Sequence, residues 1–141
     1  MKVFVDTGAF YASAISADAR NTAAKLIFMD LYNRNAQLFT SDYILAETYT
    51  PLNARESHHA AVAFMNAFEE SDISLLRVSA AIETHAKSIF RKFDTPRLSF
   101  FDCTSFALIN AHSLDHAFSF DAHFGFFRFN HPVIILDGRN L

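Results

Sequence analysis

Four carboxylates in this 141-residue chain fall where they could share a metal ion. Asp6 directly follows the apolar run Val3-Phe4-Val5, and Asp121 follows Ala117-Phe118-Ser119-Phe120 in the same way. Glu47 lies about two turns into a helical stretch beginning after Leu38 to Thr40, and Asp102 lies in the first turn of another. If the apolar runs are strands of an open parallel sheet, two of the acids stand at strand carboxyl ends, outside which such sheets bind ligands. Converging carboxylates repel unless a cation joins them. Hard oxygen ligands suit Mg²⁺ or Mn²⁺, whose sites keep several waters and share coordination with substrate phosphates. Such an ion lowers the pKa of a bound water and stabilises the leaving oxygen of an in-line phosphodiester displacement. The expected chemistry is hydrolysis by a metal-activated water, with no covalent intermediate.

Each acid also has an ordinary structural explanation. Asp6 and Asp121 could cap the elements that follow them, and Asp102 could be the capping-box partner of Ser99 in Ser99-Phe100-Phe101-Asp102. Glu47 could sit on a solvated helix face, although Leu45, Ala46 and Tyr49 beside it make that less comfortable. Singly, these explanations compete evenly with a metal site. Four acids at such positions together weaken them.

The elements that must position the acids are legible as periodicity. Val3 to Val5, Gln37 to Thr40, Leu75 to Val78, Ala117 to Phe120 and Val133 to Leu136 read as short strands, several continuously apolar, as in parallel sheets covered on both faces. Ala24, Ile27, Phe28, Leu31 and Tyr32 form a helical stripe within Asn21 to Asn33. Ile44 to Leu52, Glu56 to Glu69, Ala80 to Lys92 and Phe100 to His112 read similarly. Thr40-Ser41-Asp42, Ser79 and Ser99 supply helix starts. Strands alternating with helices imply crossover connections and a mostly parallel sheet of about five strands in a three-layer α/β/α domain. Two helices fall between the second and third strands.

Length points to one domain over residues 1–141. Half the residues are hydrophobic, with seventeen Phe, enough for a substantial core. Three Gly and three Pro leave little room for a flexible linker. The single cysteine, Cys103, rules out an internal disulfide and four-cysteine zinc sites, which fits a cytoplasmic protein. The start, MKVFVDTGAF, has no secretory pattern, and no apolar stretch is long enough to span a bilayer. A net charge of −3 argues against a nucleic-acid coat protein but is compatible with a carboxylate-rich metal pocket.

VFVDTGAFYA, TSDYILAETYT, LSFFDCTSFALI and FSFDAHF resemble, in order, the four acidic motifs of PIN-domain nucleases. The resemblance runs from Lys2 to Leu136; the third motif is the most specific. It implies that Asp6, Glu47, Asp102 and Asp121 bind Mg²⁺ or Mn²⁺, with Asp6 and Asp102 holding the better-occupied ion. Thr7 matches a family hydroxyl that could orient a metal-bound water. Ser99 and Thr104 are candidates for supporting the acids, Ser99 being equally readable as a plain helix cap. Small stand-alone members are similar to VapC-type toxins of type II toxin–antitoxin pairs. The expectation by analogy is therefore a metal-dependent endoribonuclease, dimeric and silenced by a small antitoxin. A non-catalytic PIN-like module binding RNA or protein is the alternative, and action on DNA or in RNA maturation stays open.

Lys87, Arg91, Lys92 and Arg97 form a basic cluster ahead of Asp102 that an RNA backbone could follow, or a solvated helix face. Seven histidines show neither HExxH nor finger spacing, so His58, His59 and His112 read as surface or half-buried residues. Cys103 has no evident His partner and reads as a small core residue. Phe124, Phe126, Phe127 and Phe129 read mostly as core, with a dimer- or antitoxin-facing patch as the other option. Asp6-Thr7-Gly8-Ala9 and Gly138-Arg139-Asn140 echo retroviral-type aspartic proteases, but five helical segments and the near-full-chain separation argue against that fold. A haloacid-dehalogenase phosphatase would need an acid where Gly8 stands.

Overall fold

The computed structural model describes residues 1–139; Asn140, the last residue of the protease-like echo, and Leu141 lie outside them. Five strands, β1 (Lys2–Val5), β2 (Gln37–Ser41), β3 (Ser74–Leu76), β4 (His116–Phe118) and β5 (Ile134–Leu136), form one sheet in the order β3-β2-β1-β4-β5. Every pairing is parallel. In β1, Val3, Phe4 and Val5 are all 0% exposed, although successive side chains point to opposite faces. Both faces of the sheet are therefore covered, as the expected three-layer arrangement requires.

Helices fill the crossovers. α1 (Thr7–Ala14) and α2 (Asn21–Asn33) join β1 to β2; α3 (Asp42–Pro51), a π-helical turn (Leu52–Glu56) and α4 (His58–Glu70) join β2 to β3. α5 (Ala80–Lys92) and α6 (Phe100–His112) carry the chain from the β3 edge back to β4, and α7 (His123–Phe126) precedes β5. Ser41, Ser57, Ser79 and Ser99 cap α3, α4, α5 and α6 through their hydroxyls, each accepting from an N–H three residues on. Among the described residues, no helix is long and apolar enough to cross a membrane.

The expected strands all occur, with ends displaced by a residue or two. Two helices lacked a readable stripe. α1, TGAFYASA, is apolar almost all round and buries Ala9, Phe10 and Ala12, so it shows no polar face for periodicity to detect. α7 is a single four-residue turn. The helix expected over Glu56 to Glu69 starts at His58, because Glu56 belongs to the π-helical turn and the extended Ser57 breaks that turn and caps α4.

Sheet order decides where a site can form. From β1 the chain moves one way to β2 and β3, then returns to place β4 and β5 on the other side. The crevice outside the carboxyl ends of β1 and β4 is thus the topological switch point of the sheet.

Candidate active site

Two of the four acids stand at that switch point. Asp6 follows β1 with extended backbone (φ −86°, ψ 164°), and its N–H donates to the Phe118 carbonyl at 3.0 Å, extending the β1–β4 ladder up to the carboxylate. It occupies the N-cap position of α1, yet its side chain caps nothing. Instead Oδ2 accepts a hydrogen bond from Ser119 Oγ at 2.8 Å, while Oδ1 is buried with no partner. Ser119 Oγ also accepts from the Asp121 N–H at 3.1 Å, so one buried hydroxyl stitches the first acid to the fourth. Asp121 Oδ1 accepts the N–H of His123, the first residue of α7, at 2.9 Å, although the N-cap position of that helix is Ala122.

Helices bring the other two. Glu47 enters from α3 with Oε1 buried and unpartnered. Asp102 enters from the first turn of α6, where its N–H donates to Ser99 Oγ at 3.0 Å. The capping box is thus half formed: among the described hydrogen bonds its carboxylate gives nothing back to Ser99, and Oδ2 is buried without a partner. Thr104 donates to the Phe101 carbonyl at 2.7 Å within α6, so its proton is committed to its own helix. Thr48 donates to the Ile44 carbonyl at 2.7 Å and lies 2.8 Å from Thr7 Oγ1, which makes Thr7 the donor of that pair. Thr7 can therefore meet a water only through its lone pairs.

Electrostatics mark the same residues. Burial, then the charges of Asp6 and Asp121, pushes Asp102 up to about 8. Burial with the same two neighbours pushes Glu47 up to about 7, and burial pushes Asp6 up to about 6. Unpaired buried carboxylates give up their charge in this way unless a cation compensates. The orphaned oxygens of Asp6, Glu47 and Asp102, whose charges act on one another, are donors of the kind a hard divalent ion takes; Asp102 and Asp121, with His123, bring ligand atoms within 4.8 Å of one another, and the residues fit such an ion. Cys103, fully buried and pushed up to about 11 by burial and then by Asp102, is no thiolate nucleophile.

Two features escaped the sequence. His123 lies among the acids: its Nδ1 is 2.8 Å from Asp121 Oδ1 and 3.6 Å from Asp102 Oδ2. The Asp-x-His spacing was visible, but its meaning depended on α7, too short to read. A pocket of about 280 Å³ also opens beside Thr7 and Glu47, flanked by Arg20 and Arg55. The Arg20 guanidinium stands 5.2 Å from the centroid of the Phe120 ring, a cation–π contact between residues a hundred positions apart. Of the expected basic cluster, Lys87 is tied to Glu83 at 3.1 Å. Arg91, Lys92 and Arg97 are exposed and make no ion pair among the described residues; Arg97 has a left-handed φ of 63°. His58, His59 and His112 are all exposed, and Phe124 is buried whereas Phe126 is 66% exposed.

The family model of the PIN domain matches residues 3–129. The 23S rRNA-specific endonuclease VapC20 of Mycobacterium tuberculosis is 33% identical over 122 residues, covering 86% of this chain and 91% of VapC20. The crystal structure of VapC20, a sarcin–ricin loop cleaving toxin, superposes with a TM-score of 0.78 at 32% identity, covering 87% of this chain and 92% of that one. A VapBC2 structure from Rickettsia felis, bound to promoter DNA, superposes with a TM-score of 0.70 at 13% identity over 97% of this chain and 100% of that one. A DNA-bound VapBC from Salmonella typhimurium gives 0.71 at 11% identity, over 96% and 98% respectively. The last two share the fold.

Proposed function

Since this chain belongs to the PIN-domain family and is similar to VapC-type toxins, we propose that it is a metal-dependent endoribonuclease, the toxin of a type II toxin–antitoxin pair. The observation that carries this reading is the set of buried, unpartnered oxygens on Asp6, Glu47 and Asp102 at the switch point of the sheet. Asp6, Glu47, Asp102 and Asp121 would hold Mg²⁺ or Mn²⁺. When bound there, such an ion activates a water for attack and takes up charge on the leaving oxygen.

The chain's own groups do the rest. Ser119 holds Asp6 Oδ2 and the backbone of Asp121 together, fixing the spacing between the first and fourth motifs. Thr48 turns the Thr7 hydroxyl so that its lone pairs remain open to a water's proton. Arg20 and Arg55, beside Thr7 and Glu47, and the exposed Arg91, Lys92 and Arg97 would meet phosphates of the bound RNA. Lys87, neutralised by Glu83, contributes least. The overall charge of −3 then reflects the acid centre rather than the flanks.

Residues 1–141 would act as one cytoplasmic nuclease domain, dimeric and restrained by a small antitoxin, as the likeness to VapC-type toxins suggests. The substrate class is structured RNA. Large-subunit ribosomal RNA is the first to try, because VapC20 acts on 23S rRNA.

The test is incubation of the protein with a labelled ribosomal RNA hairpin and Mg²⁺ or Mn²⁺, beside Asp6→Asn/Asp102→Asn and an EDTA control. Cleavage that needs metal and vanishes in the variant is expected. Equal cleavage by wild type and variant would refute the site, and metal binding without cleavage of any RNA would favour the non-catalytic module.

A further inference from the structure

His123 sits between a carbonyl and two carboxylates, groups that all present lone pairs to its ring. Its Nε2 lies 2.9 Å from the Pro96 carbonyl oxygen. A carbonyl only accepts, so Nε2 carries the hydrogen, and a neutral ring must then present a bare lone pair at Nδ1. That lone pair points at two carboxylates, 2.8 Å from Asp121 Oδ1 and 3.6 Å from Asp102 Oδ2, the second of which is buried and has no hydrogen-bond partner. Lone pairs facing lone pairs at these distances need a proton or a cation between them, and a cation is what can satisfy both carboxylates and the ring at once. The ring cannot simply swing away: its side chain is 14% exposed, and the neighbouring Phe124, 1% exposed, pins α7 against Phe106.

We propose that His123 Nδ1 is a direct nitrogen ligand of the divalent cation held by Asp102 and Asp121; this rests on the metal-dependent reading above. The ligand atoms of these three residues all lie within 4.8 Å of one another. Adjacent ligands of an octahedral ion with bonds of ~2.1 Å stand about 3 Å apart, which the His123–Asp121 separation nearly matches without rearrangement. The Pro96 carbonyl supplies the outer support that metal-bound imidazoles use, fixing the tautomer and the ring plane. An imidazole donor tilts a carboxylate site from Mg²⁺ toward Mn²⁺ and later transition ions, so His123 sets which metal works best. The competing arrangement is a protonated ring paired with Asp121, with no bond to metal.

Pulsed electron paramagnetic resonance on the Mn²⁺-loaded full chain distinguishes them. Echo modulation from one directly bound nitrogen is expected, changing to the ¹⁵N pattern when histidine is ¹⁵N-labelled and vanishing in His123→Ala and His123→Asn. By calorimetry, both variants should still bind Mn²⁺, weakened on the order of tenfold, with a smaller loss for Mg²⁺. The labelled wild type answers the question even if a variant folds poorly. Bound Mn²⁺ with no nitrogen modulation, or modulation that persists in both variants, would overturn the ligand assignment while leaving the nuclease reading intact. Failure of the wild type to bind Mn²⁺ at all would overturn both.

Discussion

The two ends of the central strands treat their acids in opposite ways. At the amino edge, Asp115 Oδ1 accepts the Lys2 N–H at 2.9 Å and stands 2.6 Å from His116 Nδ1, while its backbone bridges β1 and β5. Burial acts to raise this carboxyl, but the hydrogen bonds from His116 and Lys2 outweigh it and hold it below the usual range. At the carboxyl edge, Asp6, Glu47 and Asp102 each keep a buried oxygen with no partner, and all three are pushed up. One edge uses its acid to hold strands together. The other tolerates unpaired acids, which stability alone does not explain and which a bound cation would.

Removing an acid from each edge gives the widest separation. Asp102→Asn should lower RNA cleavage at least ~10³-fold, measured with saturating Mg²⁺. The same change removes a carboxyl that must hold its proton on folding, and it should raise the melting temperature of the metal-free protein increasingly from pH 4 to 8, the usual trade of function against stability. Comparable cleavage by this variant would end the contrast between the edges.

Metal is the next lever. At a hundredfold excess over its dissociation constant, Mn²⁺ should stabilise the wild type by about 2.7 kcal/mol, read as a rise in melting temperature. Asp6→Asn/Asp102→Asn should show almost none of it. An equal rise in the variant would place the ion elsewhere.

The pH dependence should invert between the edges. Unfolded Asp and Glu lose their protons near pH 4, whereas the site acids hold theirs to about 6, 7 and 8 in the folded metal-free chain. The folded state then binds more protons through this window, so metal-free stability should fall as pH rises from about 4 to 8. Asp115, held low, contributes stability that is present above pH 4 and lost in acid. Thermal melts from pH 4 to 9 with and without Mn²⁺ test this: metal should flatten the decline, and a decline unaffected by metal would speak against the site acids as its source.

Asp115→Asn should cost about 1 kcal/mol by weakening two hydrogen bonds, with cleavage within twofold of wild type. The smallest effect should come from Arg97→Ala, a severalfold rise in KM with little change in kcat, and less still from Lys87→Ala, whose charge Glu83 already neutralises.

Periodicity and strand-end position were sufficient to find the parallel sheet, its five strands and the longer crossover helices, because both-face burial and helical stripes leave direct marks on the order of residues. They also placed Asp6 and Asp121 beside the carboxyl ends of β1 and β4. α1 stayed hidden because a helix buried nearly all round has no polar face. Ser119 looked like one more residue of an apolar run, and its hydroxyl became meaningful only when β4 lay against β1.

By itself the sequence determined the type of architecture and the four candidate acids, since local pattern and residue chemistry are carried by neighbours along the chain. Only the tertiary structure decided which oxygens are left without partners, that Thr7 donates to Thr48, that Arg20 packs on Phe120, and that the His123 ring is locked between Pro96 and two carboxylates. Those are properties of groups 27 to 100 or more residues apart, or of rings held by a single turn of helix, and they exist only once burial removes water as the alternative partner.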